Sequence, residues 1–69
     1  METSEAKLEA MDLNQQGRHL LEAGNLEGAR EKFDRAIDME PMLMDSYKNY
    51  GDLYMAMQEY KEAKNLYKK

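Results

Sequence analysis

The chain has 69 residues, with ten Lys/Arg against fourteen Asp/Glu, a net charge of −4, and no cysteine. That length limits it to one small domain near the lower bound for independent stability. Without cysteine there are no disulfides or thiolate metal sites, and an acidic chain is a poor match for a phosphate backbone, so no nucleic-acid partner is expected.

No apolar run approaches the length of a membrane span or a signal-peptide core, so we expect a cytoplasmic protein with no membrane partner. The charge is uneven. Residues 1–45 hold five basic and eleven acidic side chains, while residues 46–69 hold five and three. The two parts can therefore attract each other between copies, weakly at cellular salt.

Residues 1–9, "METSEAKLE", are good helix formers, with Thr3 or Ser4 as a cap and Glu5 in the first turn. They read as a frayed extension of a first helix over 4–23. Ala10, Leu13, Gly17, Leu20 and Leu21 form its apolar stripe. "AGNLE" follows. Gly24 can take the left-handed conformation that ends a helix, and Asn25 can cap the next.

A second stripe runs through Leu26, Ala29, Phe33, Ala36 and Ile37 and stops before Pro41, which cannot continue a helix. Asp45 or Ser46 can cap a third helix carrying Tyr47, Tyr50, Gly51 and Tyr54. In "MQEYKEA" there is no strong breaker, yet the apolar stripe shifts phase, which predicts a turn near 57–59. A fourth helix would then place Tyr60, Ala63 and Tyr67 inward. Valine is absent and Ile37 is the one isoleucine, so strands are not expected. The fold class is all-α, with four helices forming two antiparallel hairpins.

A shift of 34 residues superposes the two halves. Leu13 falls on Tyr47, Gly17 on Gly51, Leu20 on Tyr54, Leu26 on Tyr60, Ala29 on Ala63 and Phe33 on Tyr67. What repeats is size: large, tiny, large, then large, tiny, aromatic. With that period the chain resembles the tetratricopeptide repeat family over residues 10–69. A first repeat would span 10–43, with Pro41 in its exit loop, and a second, truncated one 44–69. Gln16 stands where the family usually has leucine, and Gln58 stands where Gly24 ends the first helix. The resemblance implies a short right-handed solenoid in which Gly17, Gly51, Ala29 and Ala63 let paired helices approach closely. The tyrosines would then be core rather than a stacking platform.

Catalytic chemistry is sparse, and no enzyme is expected. His19 is the one histidine, without a second histidine or cysteine to complete a metal site. Arg30–Asp34 and Glu31–Arg35 have the spacing of solvated surface pairs. No cofactor loop is present.

Surface remains. In the family, the leading helix of each repeat lines a concave groove for a peptide or a partner helix. Carried over, the groove positions are Met11, Asn14, Arg18, Leu21 and Glu22, then Asp45, Lys48, Asn49, Asp52 and Met55. Asn49 matches one slot of the clamp with which some members grip the acidic carboxyl tail of chaperones. Asn14 and Arg18 depart from that clamp, so this ligand is not expected. The implied role is a scaffold for protein–protein interaction.

The alternative is self-assembly. The second hairpin has no cap, which would leave Leu53, Met57, Leu66 and Tyr67 partly exposed for a second copy by edge packing or by a swap across the Pro41 loop. A fragment of a longer array or a receiver of another protein's helix would expose the same flank.

Overall fold

The structure is a computed structural model and describes the backbone of residues 5–67 and the side chains of residues 5–61. Three helices follow one another: α1 (Glu5–Glu22), α2 (Leu26–Met39) and α3 (Met44–Tyr67). The proposed caps Thr3 and Ser4 lie outside the described residues.

The turn between α1 and α2 forms as its residues dictate. Gly24 adopts φ +87°, the left-handed conformation that a Cβ would strain. The Asn25 N–H donates to the Leu20 carbonyl at 2.8 Å, and the Asn25 side-chain oxygen accepts from the Gly28 N–H at 3.0 Å, capping α2. Glu40, extended ahead of Pro41, ends α2 with its N–H on the Ala36 carbonyl.

Packing along α1 and α2 follows the two stripes. Ala10, Leu13 and Ala36 form one buried cluster, flanked by Met39 and Leu43. Ala29, Phe33 and Leu53 form the other, flanked by Leu20, Leu21, Leu26, Tyr50 and Met57. Phe33 is fully buried, which contributes about 1.5–3 kcal/mol relative to exposure. Gly17 makes room for it: a Cβ there would lie 2.7 Å from Phe33 Cδ1, inside any real contact. A glycine mid-helix costs roughly 1 kcal/mol, and here the cost is offset by close approach.

The third element departs from the expected hairpin. The turn near 57–59 does not form, and α3 runs unbroken for 24 residues. The physical reason lies in "MQEYKEA". It offers no Gly for a left-handed C-terminus and no Pro, and its Met, Gln, Glu, Lys and Ala all favour helix. The fourth helix is absent, and α3 instead continues past the level of the α1–α2 turn. The described fold is one hairpin with a long third helix laid against it, 56 Å in its longest dimension.

Several packing expectations change as a result. Tyr47, Tyr54 and Tyr60 are not core; they are 48%, 64% and 65% exposed. Gly51 is exposed, and a Cβ there would meet nothing within 4 Å. With no helix returning over that face, the Tyr54 ring packs on Tyr50 of its own helix, ring centroids 5.7 Å apart, and Gly51 gains no packing partner. Pro41 is exposed, and its carbonyl accepts the Tyr47 hydroxyl at 2.6 Å. Leu53, expected at an open flank, is 1% exposed. Spacings of three and four put it on one seam with Ser46 and Asn49, and that seam faces the hairpin. Met57 is half-buried against the same cluster. The side chains of Ala63, Leu66 and Tyr67 lie outside those described.

Candidate groove between the first and third helices

The facing sides of α1 and α3 enclose a concavity of about 330 Å³. Its wall is Met11, Asn14, Gln15 and Arg18 from α1 and Asp45, Lys48 and Asn49 from α3. Met11, Asn14 or Gln15, and Arg18 lie one turn apart on α1, as do Asp45 and Lys48 or Asn49 on α3, so each helix presents one face.

A polar ladder ties the two helices together. Asn14 is 5% exposed, and its amide donates to the Ser46 hydroxyl at 2.9 Å. Ser46 is fully buried inside α3 rather than capping it, because α3 starts at Met44 and leaves both Asp45 and Ser46 within the helix. One turn along, Arg18 Nη1 donates to Asn49 Oδ1 at 2.9 Å and meets Asp52 Oδ2 at 3.3 Å. Asn49 itself is buried. The Arg18–Asp52 pair is half-exposed on both sides, so its net contribution is small, of the order of the 0–1 kcal/mol of surface pairs. Its larger effect is to hold the Arg18 side chain across the helix gap.

Two groups on this wall remain chemically open. Asn14 Oδ1 is buried and accepts no hydrogen bond, a deficit of about 1–3 kcal/mol for a neutral acceptor. Lys48 is exposed and forms no ion pair among the described residues.

The ten groove positions therefore divide. Met11, Asn14, Arg18, Asp45, Lys48 and Asn49 share the concavity, and Asp52 stands at its edge on Arg18. Leu21 instead packs into the Phe33 cluster, while Glu22 and Met55 are exposed away from the wall. Sequence reasoning missed Gln15, which also lines the concavity, and the burial of Ser46. A spacing of 32 residues from Asn14, close to the repeat period, was the available signal for Ser46.

Elsewhere, His19 is exposed, and Arg30–Asp34 forms an exposed pair at 3.9 Å. Gln16 donates to Asp12 one turn back at 2.8 Å. On the far side of α3, the Tyr50 hydroxyl donates to the Asp34 carboxylate, linking α3 to α2. That bond, then burial, raises the Tyr50 pKa above the ordinary tyrosine value, while Arg30 opposes the rise.

The family model described as tetratricopeptide repeat matches residues 20–69. The chain belongs to the tetratricopeptide repeat family. The match takes in the α1–α2 turn, all of α2 and all of α3. Neither the curated proteins nor the solved structures contain a match to this chain. Tetratricopeptide repeats generally mediate protein–protein interaction, and no helix among the described residues is long and apolar enough to cross a membrane.

Proposed function

We propose that this tetratricopeptide protein is a noncatalytic interaction module that holds an extended peptide or helix of a partner protein in the α1–α3 groove. The observation that carries the reading is the convergence of six family groove positions, from two repeats, on one concavity. The chemistry of the wall supports a peptide of mixed character. Lys48 offers a cation to a carboxylate, and Met11 offers an adaptable apolar contact. Arg18 is already engaged by Asn49 and Asp52 and acts as a rigid strut rather than as a free clamp.

The test is fluorescence anisotropy with a panel of labelled extended peptides that vary in acidic and apolar content. Peptides with one or two carboxylates beside apolar residues should bind best. Lys48→Glu should weaken them at least fivefold, with the far-ultraviolet circular dichroism unchanged. Indifference of every binding peptide to Lys48→Glu would remove the groove as the binding surface.

A further inference from the structure

The polar ladder neutralises only part of the charge on the groove wall. Arg18 is held by Asn49 and Asp52, so that cation already has its anion. Asp45 and Lys48 are exposed on the same wall, three residues apart in the first two turns of α3. Helix neighbours at that spacing can pair, yet neither makes a hydrogen bond or an ion pair among the described residues. A free anion and a free cation therefore line the same concavity.

The order of the wall follows from the ladder. Asn14 meets Ser46 and Arg18 meets Asn49, so the two links climb both helices in the same direction, and α1 runs parallel to α3 along the groove. Met11, one turn before Asn14, lies toward the Asp45 end, and Arg18 lies toward the Lys48 end. From one end to the other the groove presents an apolar contact, an anion and then a cation. Gln15, beside them, is neutral.

Building on the reading of this groove as a peptide site, we propose that its occupant is an extended segment with apolar, basic and acidic side chains at alternate positions. Alternate side chains of an extended chain share one face, spaced by ~6.7 Å, and the flexible Lys48 stem can follow that spacing. The apolar side chain packs on Met11, the basic one meets Asp45 and the acidic one meets Lys48. A purely acidic segment sets a carboxylate against Asp45, and a purely basic one sets an ammonium against Lys48. The wall therefore discriminates against both.

The experiment is fluorescence anisotropy on the full chain with a labelled peptide built on Leu-Thr-Lys-Thr-Glu. It is compared with an all-acidic version, in which the lysine is glutamate, and an all-basic one, in which the glutamate is lysine. On the wild type each single-sign peptide should bind at least fivefold more weakly than the mixed one. Asp45→Lys should turn the preference to the all-acidic peptide, and Lys48→Glu should turn it to the all-basic one. Asp12→Lys changes the net charge equally but lies on α1 outside the wall, and it should leave the preference unchanged. Circular dichroism should show all three variants still helical. Failure of the mixed peptide to bind at millimolar concentration, or an equal shift from Asp12→Lys, would overturn the proposal. Binding that depends on Lys48 but ignores Asp45→Lys would overturn the charge order and leave the groove standing, whereas indifference to both wall variants would remove the groove itself.

Discussion

The α1–α2 hairpin and α3 are built on the same 34-residue spacing and end differently. In the hairpin, Gly24 and Asn25 reverse the chain, Gly17 lies against Phe33, and Ala29 is fully buried. In α3, Gln58 replaces Gly24, the chain does not reverse, and Gly51 faces solvent with nothing nearby. The large–tiny–large pattern thus sets up a helix contact without producing it. A residue that tolerates the left-handed conformation at the turn brings the partner helix back.

The two glycines give the sharpest way to break that comparison. Gly17→Ala should destabilise the fold by about 1–3 kcal/mol, because the added methyl runs into the Phe33 ring in a filled core. Urea unfolding should show the midpoint fall with the slope unchanged. Gly51→Ala should do the reverse, stabilising by about 0.5–1 kcal/mol through helix propensity alone, since the new Cβ meets open space. Equal losses at both positions would mean that a helix does cover Gly51.

A smaller effect sharpens the junction between α2 and α3. The Tyr50 pKa is raised first by its hydrogen bond to Asp34. A raised tyrosine pKa favours the neutral phenol in the folded state. Its stabilisation is therefore complete below the unfolded value near 10 and is lost as the pH climbs from there through the raised folded value. Urea midpoints of the wild type and Tyr50→Phe, followed from pH 8 to 11, should converge at the alkaline end. Parallel curves would show that the bond contributes nothing.

The hairpin was legible because its determinants are local. Gly24 and Pro41 act through their own backbone, Asn25 caps within three residues through its side chain, and the stripes of α1 and α2 bury as their spacing predicts. The continuity of α3 was less legible. The phase shift at Met57 suggested a turn, while the propensities of residues 57–63 favour helix, and with no helix returning it is the propensities that prevail. The burial of Leu53 follows from that outcome. In the groove, the family resemblance had implied Met11, Arg18, Asp45 and Lys48, which line the concavity. It did not disclose that Asn14 and Asn49 are buried there, since their partners Ser46 and Arg18 sit on other helices. Leu21 was misplaced for the same reason: its neighbour Phe33 belongs to α2.

The groove is tested most directly by nuclear magnetic resonance of the 15N-labelled chain titrated with the tightest peptide of the panel. Backbone amides of residues 11–18 and 45–49 and the side-chain amide of Asn14 should shift together and saturate with one binding constant, while α2 stays still. Shifts confined to α2, or to the exposed tyrosine face of α3, would contradict the groove as the place where this protein meets its partner.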